Sequence, residues 1–536
     1  MFETTIMFSE ISGLKVNFNK TVAVKIGFNE DLDYQHDEGK DIKWQVEGKF
    51  TLLGIKYDLD QDDFTISNYE SKLKDFRKTL DSWNLRNLSI YGKVCIIKSL
   101  ALPKLVHLFS ALPNPPPNLI KSIQDACFNF IWNGKNDKIK RTTMYNTYDK
   151  GGLRIPNISY FIMSQKISWV KKILDDTNFT NWKILFLSDV ERYGGNYIWL
   201  SKSNIAPFIK DLNPFWKDVY ESWITLTCLK RKDDEHEDPQ KQTIFHNVNI
   251  KINHRTIFYQ DWMMRGIKCI NDLLDDEANF YSWESFSQKY DIQNQAFKYH
   301  AVIHAIPRNW KTRIKEINKK INNITHDTIQ KVKHLKKPGK YFYKLAIEMT
   351  GTRPEKSEEK WNKIYDCIIP ENEWGDIYMI PFKSTSETKL RILQLKILHR
   401  ILPTNSWLYK CNLKQTKNCT FCQIHIETME HLLWDCMVTK NLWLRTIEWL
   451  KTLNFNIPIQ TSKQIILGDN QQNTCLEHIK LIVKEYIYNC QINEVEPVYN
   501  TLINIIKSKI NIEKYHSERN KLEKKWGKDI LEYFRL

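Results

Sequence analysis

Four side chains near the C-terminus have the types and the spacing of a metal site. Cys419, Cys422, His431 and Cys436 form a C-x2-C-x8-H-x4-C array. Two thiolates separated by two residues can hold one face of a tetrahedral ion, and a histidine and a cysteine further along the chain close the other face. Because no coordination position stays open, the array predicts a structural zinc knuckle of the Cys3His type and not a catalytic metal site.

The spacing also predicts the local structure around the knuckle. Thr428 is expected to cap a short helix that carries His431. On a regular helix a residue five positions further on lies about 140° around the axis, so Cys436 is expected at or just beyond the helix end. Two alternatives stay open: His425 in place of His431, and four unligated side chains in a chain that has 11 Cys and 14 His.

Composition predicts a basic protein with material for several hydrophobic cores. The 536 residues include 79 Lys+Arg against 63 Asp+Glu, which gives a formal net charge of +16, and 42% of them are hydrophobic. A chain of this length is expected to form about three or four domains. A positive surplus of this size favours a polyanionic partner such as RNA or DNA, and a solubilising surface is the alternative.

Neither a secretory signal nor a membrane partner is expected. The apolar residues after Met1 are interrupted by Glu3 and Glu10, and the longest apolar stretch, 94–112, contains two lysines and a histidine. The cysteines are scattered without the rhythm of a disulfide framework, which indicates a reducing, intracellular compartment. The sequence does not choose between nucleus and cytoplasm, and it does not define the oligomeric state.

The predicted fold class is mainly α, with a short β region at the N-terminus. The strand signals lie at 14–18, 22–26 and 50–55. The helical signals that follow are an apolar stripe over 73–83, a helix capped by Ser89 that continues to Leu102 and bends at Pro103, and a helix over 118–132.

Much of the positive surplus lies between Ala301 and Lys340. This segment has eleven Lys/Arg and two acidic residues. Apolar residues at helical spacing from Ile314 to Thr328 predict a helix whose basic face lies along a phosphate backbone, and a solvated surface helix is the alternative. The predicted contacts in this segment are Lys319, Lys320, Lys331 and Lys333.

No catalytic residue is predicted. The chain has no G-x4-G-K-[ST], no G-x-G-x-x-G and no H-E-x-x-H motif. Its four pairs of adjacent aspartates, at 62–63, 175–176, 233–234 and 275–276, are expected to be surface pairs, since none follows the strand turn that a two-metal site requires.

Several stretches, in order along the chain, resemble the reverse transcriptases of LINE-type (non-LTR) retrotransposons. FSEISGLKVNFNKT (8–21) is similar to the palm segment after the aspartate-pair motif, and FTLLGI (50–55) is similar to the primer grip. Four further stretches resemble the thumb and the region after it: WNLRNLSIYGKVCIIK (83–98), LPK (102–104), FIWNG (130–134) and KGGLRIP (150–156). LKILHRILPT (395–404), the knuckle and Glu427-Thr428 resemble the reverse transcriptase zinc-binding domain.

The resemblance implies a domain order and a function. The expected order is a palm remnant (1–60), a thumb with a following helical region (61–185), a helical linker (186–380), a zinc-binding domain (381–455) and a helical tail (456–536). The implied function is that of a fragment of an RNA-directed DNA polymerase that binds template RNA, primer duplex or target DNA. A host-adopted zinc-dependent nucleic-acid-binding protein and a decayed copy are the alternatives.

The resemblance also implies that this chain alone is inactive as a polymerase. The family's first palm aspartate and its Tyr-x-Asp-Asp pair would precede Phe8, and without them nothing holds the magnesium ions that activate the primer hydroxyl. Magnesium is therefore expected only in an intact parent polymerase, and structural zinc is the one cofactor expected here.

The implied nucleic-acid contacts lie in the thumb and in the helix before the knuckle. In the thumb they are Arg86, Lys93, Lys98 and Lys104, and before the knuckle they are Lys389, Arg391, Lys396 and Arg400. The aromatic residues near the zinc ligands are more often core than stacking platforms, and these are Trp407, Tyr409, Phe421 and Trp434.

Overall fold

The computed structural model is mainly helical, as predicted. It describes residues 2–15, 17, 22–23, 43–44, 49–58, 65–177, 180–200, 212–229, 238–317, 319–321, 327–455, 457, 460–471, 473–516 and 518–535. The helices of the first half are α1 Phe2–Ser12, α2 Thr65–Asn84, α3 Ile90–Ile96, α4 Pro103–Ala111, α5 Pro117–Trp132, α6 Arg141–Met144, α7 Ile158–Leu174, α8 Asn181–Glu191, α9 Pro214–Cys228 and α10 Gln260–Met264. Those of the second half are α11 Trp283–Tyr290, α12 Ala296–Ala305, α13 Arg308–Ile317, α14 Asp327–His334, α15 Pro338–Thr350, α16 Glu355–Ile364, α17 Glu371–Ser384, α18 Thr388–Leu398, α19 Asn405–Lys410, α20 Met437–Thr452, α21 Ser462–Ile466, α22 Thr474–Ile492, α23 Tyr499–His516, α24 Arg519–Trp526 and α25 Lys528–Tyr533.

The strands are short and pair two by two. They are β1 Val22–Ala23, β2 Lys43–Trp44, β3 Lys49–Leu52, β4 Ile55–Asp58, β5 Lys251–Ile252 and β6 Arg255–Thr256. Within the described part of the chain, β1 pairs with β2 in parallel, and β3–β4 and β5–β6 are antiparallel pairs.

Two of the strand predictions need correction. The strand predicted over 50–55 is a hairpin, because Leu53 and Gly54 have φ angles of 51° and 81° and reverse the chain between β3 and β4. In the predicted strand over 14–18, residues 14–15 have no regular structure, and Leu14 is 66% exposed, so nothing buries a strand face there. Residues 16 and 18 lie outside the described residues, as do 24–26 of the strand predicted over 22–26, of which 22–23 form β1.

The helices predicted between 73 and 132 are confirmed. In α2 the side chains of Leu73, Phe76 and Leu80 are buried in one core with residues of α3, α4 and α5. Ser89 caps α3 by accepting a hydrogen bond from the Gly92 N–H at 3.1 Å. A π-helical turn, Ile97–Ala101, continues α3, and the chain bends by 48° where α4 begins.

Buried apolar residues of the described chain form four clusters. The first spans residues 55–162 and includes Leu395, and the second lies mainly between 167 and 226 with contributions from α14 and α15. The third spans 197–314. The fourth extends from Trp361 to Phe534, so the predicted boundary at 455 lies inside one continuous core.

The continuous helix predicted across 314–328 is wrong. Helix α13 ends at Ile317, which is 42% exposed, and α14 begins at Asp327. Between them the Ile321 N–H donates to Gln240 Oε1 at 3.0 Å and to Asn271 Oδ1 at 3.3 Å. These side-chain acceptors stabilise a non-helical path, and the sequence here is rich in asparagine, which favours such paths. Ile324 lies outside the described residues.

Among the described residues no single helix is long and apolar enough to cross a membrane. The bent pair Ile90–Ala101 and Pro103–Ala111 reaches that length and composition only when its two halves are taken together.

Candidate metal centre

The four predicted ligands lie together, with their ligand atoms all within 4.8 Å of one another. Cys419 Sγ and Cys436 Sγ are 3.8 Å apart, and Cys422 Sγ is 3.4 Å from His431 Nε2. Zinc with Zn–S bonds of about 2.3 Å and a Zn–N bond of about 2.0 Å requires edges near 3.8 Å between sulfurs and about 3.5 Å between sulfur and nitrogen. The observed separations match these edges and are far longer than the S–S bond of a disulfide, which is about 2.05 Å.

A tight loop positions the first two cysteines. The Cys419 N–H donates to the His425 carbonyl at 2.8 Å, and the Gln423 N–H donates to the Cys419 carbonyl at 3.0 Å. The Phe421 N–H points at Cys419 Sγ, 3.4 Å away. An antiparallel bridge between 418 and 426 closes the loop. The turn therefore presents both sulfurs on one side of the loop.

A π-helical turn positions the other two ligands. His431–Asp435 has the wider i→i+5 pattern, in which the Cys436 N–H donates to the His431 carbonyl at 2.8 Å. Thr428 Oγ1 accepts from the His431 N–H at 3.1 Å, which confirms the predicted cap. Cys436 ends this turn and begins α20, as the spacing predicted. A π turn rotates each residue about the helix axis by a smaller angle than an α turn does. The angle between His431 and Cys436 is therefore smaller than the 140° expected for a regular α-helix.

His425 does not join the cluster. Its ring centroid lies 5.5 Å from that of His431, its backbone carbonyl closes the loop, and the group of ligand atoms found among the described residues excludes it. The geometry therefore favours His431 over His425.

The thiols of Cys436 and Cys419 shift each other's pKa. The pKa of the Cys436 thiol is lowered, chiefly by the hydrogen bond from the Cys419 thiol, while burial opposes this change. The N–H groups of Val438 and Thr439, in the first turn of α20, also lower this pKa. The pKa of Cys419 is raised by its hydrogen bond to Cys436 and by burial. Zinc binding would replace this shared proton and require both sulfurs as thiolates.

A buried carboxylate, Glu427, holds the knuckle against two helices. Its side chain is fully buried and accepts from the Thr420 N–H at 2.8 Å and the Thr420 hydroxyl at 2.9 Å. It also accepts from the Asn405 N–H at 2.8 Å, the Asn405 amide at 3.2 Å and the Gln491 amide at 3.1 Å. Glu427 therefore joins the metal loop to the start of α19 and to α22.

The metal turn is also part of the hydrophobic core. Leu432 and Leu433, between the two ligands of the π turn, are fully buried, and the Trp443 indole donates to the Leu433 carbonyl at 2.7 Å. Arg400 forms an ion pair with Glu430 and lies 4.3 Å above the Trp361 ring. Metal ligation and core packing therefore act on the same few residues.

The predicted thumb contacts are not all available to a ligand. Arg86, Lys98 and Lys104 are exposed, and Arg86 lies 4.2 Å above the Trp83 ring. Lys93 is only 4% exposed, and its ammonium donates to the Phe130 carbonyl at 2.7 Å and to the side chain of Asn133. Lys93 therefore satisfies the C-terminal end of α5, and its predicted phosphate contact is not supported by an exposed ammonium group.

The four lysines predicted in the basic segment are mostly engaged with protein groups. Lys320 donates to the Leu274 carbonyl, Lys331 to the Tyr341 hydroxyl at 2.8 Å, and Lys333 to Asp176 at 2.9 Å. Lys319 is exposed. These four residues do not lie on one helix, because residues 319–321 are not helical, and their contacts with nucleic acid stay a prediction.

Of the basic residues predicted before the knuckle, some are exposed and others are engaged with protein groups. Lys389 is exposed, whereas Arg391 donates to the Thr385 carbonyl at 2.7 Å. The pKa of Lys396 is lowered by partial burial and by the nearby charge of Lys138. Arg400 is engaged with Glu430. The structure does not assemble these four residues into one free basic face.

The aromatic residues near the ligands fall into two groups. Phe421 and Trp434 are partly buried against the core, whereas Trp407 and Tyr409 on α19 are 48% and 47% exposed. No sequence pattern predicts this division. None predicts the role of Asn405, Thr420 and Gln491 around Glu427, because the contacts of Glu427 with Asn405 and Gln491 join residues 22 and 64 positions apart.

Residues 360–443 match the model of the family described as zinc-binding in reverse transcriptase. The match begins in α16, ends in α20 and contains all four clustered residues. This part of the chain is therefore reverse-transcriptase-related, and the Cys3His cluster in it supports zinc as the bound metal. The palm, the thumb and the LINE type stay predictions.

Changing two ligands should remove the metal. In the full chain, Cys419→Ser combined with Cys422→Ser should lose the one zinc ion bound per molecule, because two of four donors are gone. The free energy of unfolding should fall steeply, since structural zinc contributes about 10–16 kcal/mol of apparent binding free energy in small peptides. Elemental analysis and thermal unfolding measure both effects. Cys411→Ser changes an exposed cysteine outside the cluster and is the control. Zinc content equal to that control would contradict the assignment.

Replacing Glu427 by its amide should destabilise the region. Glu427→Gln turns an acceptor oxygen into a donor facing other donors, at a cost of at least about 2 kcal/mol of unfolding free energy. Urea unfolding followed at the Trp fluorescence measures this cost. The control is Glu494→Gln, which removes a surface ion pair with Lys414 and should cost about 1 kcal/mol or less. Equal costs for the two variants would show that Glu427 does not hold the knuckle in place.

Proposed function

We propose that this chain is part of a LINE-type retrotransposon reverse transcriptase and that it binds RNA or DNA through its zinc-binding region. The observation that supports this most strongly is the Cys3His cluster with zinc-like edges inside the region that matches zinc-binding in reverse transcriptase. The proposed role of zinc is structural, since the three thiols and one imidazole fill a tetrahedron.

The exposed residues around the knuckle support a nucleic-acid surface. Trp407 and Tyr409 present half of their surface to solvent, and Leu413 and Ile424 are 68% and 70% exposed. Exposed lysines accompany them at 410 and 417. Aromatic rings beside cations bind single strands by stacking on bases and attracting phosphates. The zinc site would hold this surface in place, because α19 begins at Asn405, which hydrogen-bonds to Glu427.

The catalytic part of a polymerase is not assigned to these residues. The 536 residues contain no Tyr-x-Asp-Asp sequence, and the adjacent aspartates that the structure describes lie in turns or on the surface. Asp175 accepts from the Thr177 N–H, and Asp275 accepts from the N–H groups of Glu277 and Asn279. Template-dependent primer extension by this chain would therefore contradict the proposal that it contributes binding alone.

Removing an exposed aromatic ring should weaken binding. Trp407→Ala should raise the dissociation constant for a labelled single-stranded RNA by about 5- to 150-fold, since stacking contributes about 1–3 kcal/mol per base. Fluorescence anisotropy measures this constant. Tyr515→Ala removes another ring, 88% exposed on α23, and should leave it unchanged.

The binding measurement tests the Trp407 ring only if the variant folds as the unchanged chain does. Zinc content and melting temperature of the Trp407→Ala variant should equal those of the unchanged chain, because the ring contributes little to the core. Unchanged affinity in such a folded variant would exclude this surface as the binding site. Absence of any binding by the unchanged, zinc-loaded chain would overturn the proposed function itself.

A further inference from the structure

A large cleft lies outside the zinc-binding region. It has a volume of about 1260 Å³ and is bounded by α4, by the segment 145–156, by α7 and by α15. Pockets for small molecules usually have volumes of about 300–1,000 Å³, so this cleft is larger than a single small ligand needs.

The two long walls of the cleft are fixed to each other. Gly339, in the first turn of α15, lies so close to α7 that a Cβ there would be 2.4 Å from the Ser164 carbonyl oxygen. Further along, the Asn157 N–H, at the start of α7, donates to the Tyr343 hydroxyl at 3.1 Å. The cleft is therefore a built feature of the fold and not a gap between loosely packed helices.

The rim of the cleft is strongly basic. Nine of the lining residues are lysine or arginine and three are acidic. One of the acids, Glu348, is paired with Lys344 at 3.5 Å. Of the nine cations, Lys344 alone has an ion-pair partner among the described residues. Lys171 donates to the Leu335 carbonyl at 2.6 Å, and Lys172 lies 3.9 Å from the centre of the Trp169 ring. The other six are Lys98, Lys150, Arg154, Lys336, Lys337 and Lys340.

Two of the lining cations, Lys98 and Arg154, lie close enough to repel each other. The pKa of Lys98 is lowered by partial desolvation and by the nearby Arg154 guanidinium. Eight cations without an ion-pair partner around one concavity raise the local positive potential, and a polyanion placed there would relieve their mutual repulsion.

The floor of the cleft is apolar and partly aromatic. It is formed by Val106, Tyr145, Phe161, Tyr343 and Ile347. Phe161 and Tyr343 meet edge to face, with ring centroids 6.4 Å apart. A site for free phosphate would not need apolar lining residues. Nucleic-acid bases have flat apolar faces that can pack against them.

We infer that this cleft binds a single strand of RNA or DNA, with phosphates at the basic rim and bases against the apolar floor. The inference rests on the proposed function and adds to it a second binding site, separate from the knuckle. A positive groove with aromatic groups inside it is the arrangement that single strands use. A duplex keeps its bases stacked inside and would meet the rim alone, and an acidic peptide offers carboxylates without flat rings for the floor.

The test compares two triple variants of the full, zinc-loaded chain. Lys150→Gln, Lys336→Gln and Lys340→Gln together remove three rim cations. The matched control, Lys507→Gln, Lys524→Gln and Lys528→Gln, removes three exposed cations of α23, α24 and α25 that lie outside both the cleft and residues 360–443. The probe is a labelled homopolymeric single strand of about 20 nucleotides, longer than the roughly 4–16 nucleotides that a single-strand binding fold covers.

The rim variant should bind this probe at least about tenfold more weakly, and the slope of log affinity against log salt should flatten by up to about two units, because each phosphate contact contributes about 0.7. The control variant should keep the original slope. A blunt duplex of the same length should lose less affinity than the single strand.

Three results would overturn the inference. The first is a rim variant, equal in melting temperature to the unchanged chain, that keeps the original affinity and slope while Trp407→Ala still weakens binding. In that case the surface around Trp407 would remain the proposed binding site, and the cleft would be excluded as a second one. The second is an equal loss for both triple variants, which would reveal a general charge effect. The third is displacement of the single strand by poly-glutamate at equal charge concentration, which would identify an acidic peptide as the occupant.

Discussion

A tetrahedral metal site requires four ligand atoms less than about 4 Å apart, and this requirement determines the path of the chain from Cys419 to Cys436. The loop at 419–422 presents two sulfurs, and the π turn at His431–Asp435 presents the other ligands from the same side. Because the same turn buries Leu432 and Leu433, the metal and the core stabilise each other. The helices before the knuckle also contact the segment 145–156 that bounds the cleft, since His399 Nε2 lies 2.8 Å from the Gly151 carbonyl and Phe382 stacks on Tyr148 at 4.4 Å.

The positive charge of the sequence is divided between the interior and the surface. Lys166 donates to the Leu112 carbonyl, and Lys484 donates to Gln394 Oε1 at 2.6 Å, and burial lowers the pKa of each to about 7. Such lysines satisfy carbonyl groups and amides inside the protein, as Lys93 does. A count of charges along the chain therefore overestimates the surface available to phosphates, and only residues without protein partners remain for binding.

Features that depend on residues close together in the sequence are predicted correctly, whereas features that depend on residues far apart are not. The ligand set, the Thr428 cap and helix α2 depend on residues a few positions apart, and each was predicted. The hairpin at β3–β4 was missed because Leu53 adopts a positive φ that leucine seldom takes. The break after Ile317 was missed because Gln240 and Asn271, some 50 to 81 positions away, capture the Ile321 N–H. Lys336 and Lys340 belong to the basic segment 301–340, but their position beside Lys98 at the cleft depends on the packing of α15 against α7.

X-ray absorption spectroscopy of the zinc-loaded protein identifies the atoms bound to the metal and their distances. We expect one zinc ion with three sulfur neighbours at about 2.3 Å and one nitrogen neighbour at about 2.0–2.1 Å. Changing His431→Ala should remove the nitrogen neighbour and leave the three sulfurs. A first shell dominated by oxygen or nitrogen, or one that keeps its nitrogen after this change, would contradict the assignment of Cys419, Cys422, His431 and Cys436.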